Sequence, residues 1–224
     1  MFNLNWAREL MEAQNIDGLI ASSPENFYYV SGYTHYGDGM LPLGKLGIAT
    51  VIIPKAKEQN PAVIVTDWET EKVRRLTWIE DIRFFETWIH FDKGEIKTSE
   101  VTSKPEQFDP VQVISQTLGE KGLEKGNLGV ELDYIPLQYY ERLKAAIPKA
   151  NFVDARRLFL DMRTIKSPAE INRFRKAVMT TEKGISAGAK VAREGVTETE
   201  IAKAFRRVVA ESCCWGIHFL QISE

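Results

Sequence analysis

At 224 residues, 44% of them hydrophobic, the chain is long enough to bury a sizeable core, as one large domain or as one compact domain with a further piece. Its 29 basic and 31 acidic residues leave a formal net charge of −2, which removes any global electrostatic case for binding nucleic acid or an anionic membrane. The longest apolar run, Ile48 to Ile53, falls far short of the roughly 18–20 residues a membrane helix needs. The amino terminus, MFNLNWAREL, lacks the basic segment, hydrophobic block and small-residue cleavage site of a secretory signal. The two cysteines, Cys213 and Cys214, are neighbours, which rarely reach good disulfide geometry, so they read as structural thiols and a cytoplasmic location is expected.

Helices and strands alternate along the first 150 or so residues. Leu4 to Gln14 reads as a helix with Leu4, Ala7, Leu10 and Met11 on one face, and Asp17 to Ala21 as a buried strand. Ser23-Pro24-Glu25 opens a short helix that ends near Gly32. Gly47 to Ile53 and Ala62 to Thr66 are β-rich runs separated by a polar turn, which predicts an antiparallel hairpin and a sheet that is not purely parallel. Asp67 is placed to cap the next helix, with Glu69 and Glu71 near its positive end, and Ile82 to Thr87 follows as a strand. From Thr87 to Phe108 the pattern weakens and predicts a loop. Order resumes with a helix capped at Asp109, a strand from Leu128 to Leu132, a helix from Pro136 to Ile147 and a short strand from Asn151 to Val153.

After Asp154 the pattern changes to helix upon helix. Ser167, Pro168 and Glu170 form a capping box, and Ile171, Phe174, Val178 and Ile185 make an apolar stripe on a long helix that Gly195 can terminate. Thr197 and Glu200 form a second capping box, opening a helix in which Ile201, Ala204, Phe205 and Val208 share a face. The domain boundary is therefore set at 154, with residues 155–224 starting something new.

Self-contained catalytic constellations are missing from the sequence. The three histidines stand at 35, 90 and 218, with no H-E-x-x-H or comparable spacing. Gly37 and Gly39 in HYGDGM do not precede a helix and make no phosphate loop. Glu131 and Asp133, alternating on a strand, would put two carboxylates on one face, an acid–base arrangement that reads more simply as a strand end. Arg156, Arg157, Arg163 and Lys166 are interspersed with acidic residues and read as a solvated face. Phe27, Tyr28 and Tyr29 read as core, and Trp68, Trp78 and Trp88 as packing residues without an internal repeat.

The run from Gly129 to Ala177, GVELDYIPLQYYERLKAAIPKANFVDARRLFLDMRTIKSPAEINRFRKA, resembles the junction between the two domains of the creatinase and prolidase family, which includes the Xaa-Pro aminopeptidases. Asp17 to Tyr33, DGLIASSPENFYYVSGY, is similar to that family's opening strand and helix, and the order of elements between the two motifs agrees. The resemblance implies an α/β fold: an amino-terminal creatinase-type domain, residues 1–154, with a mixed β-sheet flanked by helices, then a truncated α-rich start of a pita-bread domain over residues 155–224. The complete family enzyme carries two divalent metal ions (Mn, Co or Zn) on two aspartates, a histidine and two glutamates, and none of those positions has a match here. The ending, Gly216 to Ser223, resembles the first strand of the catalytic sheet, ahead of every ligand, so this chain is expected to hold no metal and to be inactive alone. In the family the loop corresponding to Gly32–Gly44 reaches across a homodimer toward the partner's pocket. By that resemblance His35, Tyr36 and Asp38 are candidate substrate contacts for short Xaa-Pro peptides; the other reading of the loop is an exposed glycine turn.

Three functions follow from different classes. The chain is read as the non-catalytic portion of a metal-dependent Xaa-Pro dipeptidase or aminopeptidase, as a fragment of a creatinase-like amidinohydrolase or another hydrolase of small C–N substrates, or as a stand-alone binding or dimerisation module. No nucleic-acid or membrane partner is expected under any of them.

Overall fold

The computed structural model describes residues 2–35, 49–85, 89–92, 95–98 and 110–212. Contacts divide the described residues into two units, one spanning 2–164 and one spanning 165–212. The segment just after residue 154 packs into the first unit, with Leu158, Phe159 and Met162 in its core.

The first unit is built on a mixed six-stranded sheet. Helix α1 (Leu4–Ala13) leads to β1 (Gly18–Ala21), then α2 (Pro24–Ser31), β2 (Thr50–Pro54) and β3 (Ala62–Thr66). A 3₁₀ turn (Asp67–Glu69) leads into α3 (Thr70–Leu76) and β4 (Asp81–Phe85). Strands β5 (Ile89–Asp92) and β6 (Glu95–Thr98) form a separate antiparallel pair. Helix α4 (Pro110–Glu120), β7 (Asn127–Val130), α5 (Leu137–Ala146), β8 (Asn151–Asp154) and α6 (Arg156–Met162) complete the unit. The sheet order is β4-β3-β2-β1-β7-β8. β2–β3 is antiparallel, as the polar turn between the two runs predicts, and so is β1–β2, whereas β3–β4, β1–β7 and β7–β8 are parallel.

Side chains on the central strands alternate between two cores because successive strand residues face opposite ways. Leu19, Ala21, Val51, Ile53, Val63 and Val65 join Ala7 and Met11 of α1, Phe27 and Val30 of α2, and Phe159 and Met162 of α6 on one face. Ile20, Ile52, Ile64, Leu128 and Val130 join Ile114 and Leu118 of α4 and Leu143 of α5 on the other. Each such fully buried aliphatic side chain contributes about 1.5–3 kcal/mol. Polar ties lock the helices in place. Tyr29 Oη donates to the Met162 carbonyl at 2.8 Å, Trp78 Nε1 donates to the Val30 carbonyl at 2.7 Å, and the buried Arg8 guanidinium donates to the carbonyls of Pro54, Ala56 and Gln59 at 3.3, 3.0 and 2.7 Å.

Four expectations need correction. The weak stretch from Thr87 contains the β5–β6 pair, which short mixed-polarity strands do not announce by periodicity. Asp67 does not cap a helix; it is the first residue of the 3₁₀ turn, and its Oδ1 accepts from the Trp68 N–H at 3.0 Å. Strand β7 stops at Val130, two residues short of the expected Leu132. Of the aromatic trio, Phe27 is buried but Tyr28 is 44% exposed, because a three-residue run on a helix cannot face one way. Asp109, Trp88, Cys213, Cys214 and the 216–223 run lie outside the described residues.

At the edge strand, the Asp81 carboxylate accepts from Arg83 Nε and from Lys121 Nζ, both at 2.8 Å. Burial opposes its ionisation, yet the Arg83 and Lys121 hydrogen bonds outweigh burial and hold this carboxyl below the usual value of 3.8. Since the folded value is depressed, its stabilisation is present above about pH 4 and is lost as pH falls through the folded value. Asp81→Asn is expected to lower stability at pH 7 by roughly 1 kcal/mol, a figure reduced for partial solvent exposure, and to flatten the loss below pH 4. Urea midpoints measured from pH 7 to pH 2 check both.

The second unit holds two helices, α7 (Pro168–Val191) and α8 (Glu198–Glu211), and both predicted capping boxes are present. Ser167 Oγ accepts from the Glu170 N–H at 3.3 Å, and Thr197 Oγ1 from the Glu200 N–H at 3.3 Å. The face of α7 that meets α8 is not the predicted apolar stripe. It is the small-residue face: a Cβ at Gly184 would lie 2.7 Å from the Phe205 ring, and one at Gly188 would lie 3.3 Å from Ile201. Phe174, Val178 and Ile185 of the stripe are more than half exposed.

Candidate functional site

Where β1 and β7 run parallel, their carboxyl ends and the start of α2 frame a crevice of the kind that often takes an anion. Here the protein fills it with its own side chain. Glu131, the residue after β7, is 4% exposed. Its Oε2 accepts from the Ser22 and Ser23 N–H groups at 2.6 and 2.9 Å, and its Oε1 from Asn26 Nδ2 at 2.5 Å. Ser23 Oγ caps the same helix by accepting from the Asn26 N–H at 3.2 Å. An internal carboxylate at a helix N-terminus satisfies backbone donors and leaves them unavailable to a bound phosphate.

The pair of carboxylates predicted on one strand face is therefore not formed. Beyond Val130 the chain turns, Glu131 goes inward, and Asp133 is exposed, with its Oδ2 3.2 Å from Arg156 Nε. Arg157 likewise pairs with Asp161 at 3.0 Å, so this stretch of the basic cluster is a solvated, ion-paired face.

A second buried polar cluster forms where α2 ends. Gly32 takes φ +70, and Ser31 Oγ donates to the Phe27 carbonyl at 2.7 Å while accepting from the Tyr33 N–H at 3.0 Å. This turn sends the chain back into the interior, and the Tyr33 and His35 side chains are each 1% exposed or less. Both reach Glu69, itself 3% exposed. Tyr33 Oη donates to Glu69 Oε1 at 2.5 Å, Thr66 Oγ1 donates to Glu69 Oε2 at 3.1 Å, and His35 Nδ1 lies against Glu69 Oε2. The Phe27 ring packs edge-on against both Tyr33 and His35. Sequence reasoning placed Glu69 at a helix end and missed its inward role. The available signal was its spacing three residues after Thr66, the Thr-x-x-Glu pattern of a capping box.

Of the three candidate substrate contacts, the structure places His35 in this interior cluster; Tyr36 and Asp38 lie outside the described residues. Among the described residues no group of three or more His, Cys, Asp or Glu side chains is arranged to hold a metal ion, so they do not supply the donor set that a two-metal centre needs. No described helix is long and apolar enough to cross a membrane.

A sequence profile of the creatinase/prolidase N-terminal domain matches residues 4–165. The chain belongs to this family. The match runs from α1 to the end of α6 and includes the crevice filled by Glu131 and the cluster around Glu69. Among curated relatives of this family member, an uncharacterized hydrolase/peptidase of Sinorhizobium fredii is 25% identical over 199 residues, 88% of this chain and 46% of the relative. The ectoine hydrolase of Halomonas elongata is 26% identical over 173 residues, 76% of this chain and 38% of the relative. Among solved structures, the Xaa-Pro dipeptidase from Bacillus anthracis aligns with a TM-score of 0.69 at 18% identity, over 93% of this chain and 48% of that one, a likeness of fold. The chain thus spans about half the length of the Sinorhizobium fredii relative and of the Bacillus anthracis enzyme.

Proposed function

We propose that this creatinase/prolidase-family chain is the non-catalytic, dimer-forming and pocket-shaping portion of a metal-dependent Xaa-Pro dipeptidase or aminopeptidase. In this reading the complete enzyme is a cytoplasmic homodimer that hydrolyses short Xaa-Pro peptides with two divalent ions, Mn, Co or Zn. The residues that ligate them belong to a catalytic portion outside these 224 residues. In this reading the loop Gly32–Gly44 shapes the substrate pocket, with His35, Tyr36 and Asp38 as its substrate contacts. The observation that carries the reading is the family match over residues 4–165, joined to a fold that aligns along 93% of the chain with an Xaa-Pro dipeptidase.

The 224-residue chain, loaded with manganese or cobalt, is expected to release no product from an Xaa-Pro dipeptide above a metal-free control. Measurable hydrolysis by purified chain would overturn the non-catalytic assignment. A second reading, a hydrolase of another small C–N substrate on the same fold, has the ectoine hydrolase relative in its favour. Assaying the intact protein against Xaa-Pro dipeptides and creatine separates the two, since preferential cleavage of creatine sinks the dipeptidase reading.

A further inference from the structure

A cleft of about 400 Å³ opens at the amino ends of β1 and β7, the opposite end of those strands from Glu131. Three lysines line it, Lys55, Lys121 and Lys125, together with Asp17. Its walls are pinned. The buried Arg8 guanidinium holds the turn after β2 through the carbonyls of Ala56 and Gln59, Gln59 Nε2 donates to the Lys121 carbonyl at 3.0 Å, and Lys121 Nζ donates to the Asn60 carbonyl at 2.9 Å. Gly122 and Gly126 leave two of the lining positions without side chains.

An ammonium group carries three N–H donors. Lys55 Nζ directs two toward Glu12 and Asp17, at 3.3 and 3.1 Å, and Lys121 Nζ directs two toward Asn60 and Asp81, so each keeps one. Lys125 makes no hydrogen bond or ion pair among the described residues and keeps all three. The negative groups at the cleft, in contrast, already have donors. Asp17 Oδ2 accepts from the Asn127 N–H at 2.8 Å, and Oδ1 faces Lys55. At the end of α4 the carbonyls of Leu118, Gly119 and Lys121 accept from the Leu123 N–H, the Gly122 N–H and Gln59 Nε2, which blunts the negative end of the helix dipole. The balance is a surplus of charged donors, and one of them belongs to Lys121, whose side chain is only 10% exposed, where a charge-assisted hydrogen bond is strengthened.

We infer that this cleft is an oxyanion site that takes the phosphate group of a small molecule, with Lys125 supplying the uncompensated charge and Lys55 and Lys121 one donor each. A terminal phosphate has three oxygens, one for each ammonium group, whereas a carboxylate has two. The volume falls within the range of about 300–1,000 Å³ usual for small-molecule pockets, so an organic group attached to the phosphate has room. None of the lining residues belongs to the loop Gly32–Gly44, and the site does not depend on the function proposed above.

The test is a titration of the 224-residue chain with inorganic phosphate and, separately, with glycerol 3-phosphate, following the ¹H–¹⁵N amide signals of Gly122 and Gly126 at an ionic strength held constant with chloride. Saturable shifts of both signals are expected. Lys125→Ala, which changes an exposed side chain, should weaken the binding about fivefold or more, and Lys176→Ala, on α7, should leave it unchanged. Tighter binding of the ester identifies a phosphorylated metabolite as the ligand, and equal or tighter binding of inorganic phosphate identifies the free ion; either result supports the site. Shifts that do not saturate with either compound, that chloride alone reproduces, or that respond equally to Lys125→Ala and Lys176→Ala overturn the proposal.

Discussion

Glu131→Ala is expected to lower the free energy of unfolding by about 3–5 kcal/mol, the range for breaking a buried, charge-assisted network by removing one partner. Three donors lose their acceptor at once: the Ser22 and Ser23 N–H groups and the Asn26 amide. Two are backbone groups at the buried start of α2, and each left unsatisfied carries a desolvation cost of roughly 1–3 kcal/mol. Glu131→Gln should recover only part of the loss, because a neutral amide is a weaker acceptor and brings two donors among donors. Asp133→Ala removes only an exposed pair with Arg156 and should change stability by less than about 0.5 kcal/mol. Guanidinium unfolding of the three variants checks the order; a Glu131→Ala midpoint equal to that of Asp133→Ala would refute the structural role of Glu131.

Gly129→Ala is the second large effect, and it arises from volume. On β7, between β1 and β8, a Cβ would stand 2.6 Å from Leu19 Cδ2 and 2.8 Å from Ala155 Cβ. The Leu19 methyl belongs to a fully buried side chain, and the Ala155 Cβ is fixed to backbone at the entrance to α6, so neither yields without moving β1 or α6. Overpacking of this kind costs about 1–3 kcal/mol, against a gain of about 0.5–1 kcal/mol from restricting the unfolded chain. A net loss of roughly 1 kcal/mol is expected. A thermal or urea melt shows it, and an unchanged midpoint would mean that the close approach of α6 to the sheet is not maintained in solution.

Most of the fold was legible because most of it is announced locally. Ser23, Ser167 and Thr197 each cap the helix whose start they marked, and the alternation on β2 and β3 divides into the two cores as a period of two requires. Helix α7 shows where the local pattern misleads. Its apolar residues drew attention, but close helix approach depends on missing side chains, and Gly184 and Gly188 carry that contact. The polar clusters were the least legible part. Glu131 and Glu69 both look like surface carboxylates in the sequence, since nothing within a few residues shows that one will meet a helix start more than a hundred positions earlier, or that the other will meet a tyrosine and a histidine thirty-odd positions before it. The family resemblance supplied the order of the elements; only the three-dimensional arrangement shows what these two carboxylates do.

The strand order also governs how the chain is made. β1 emerges first but has β7 as one neighbour, and the Ser22 N–H waits 109 residues for its acceptor. During synthesis the hairpin side of the sheet can assemble early, whereas the other edge of β1 stays open until the chain has passed Glu131. Sheets closed by such distant pairings fold slowly and expose apolar strand edges in the meantime. For this chain the vulnerable interval lies between the release of β3 and the arrival of β7, when Leu19 and Ile20 are already present and half of their covering is not.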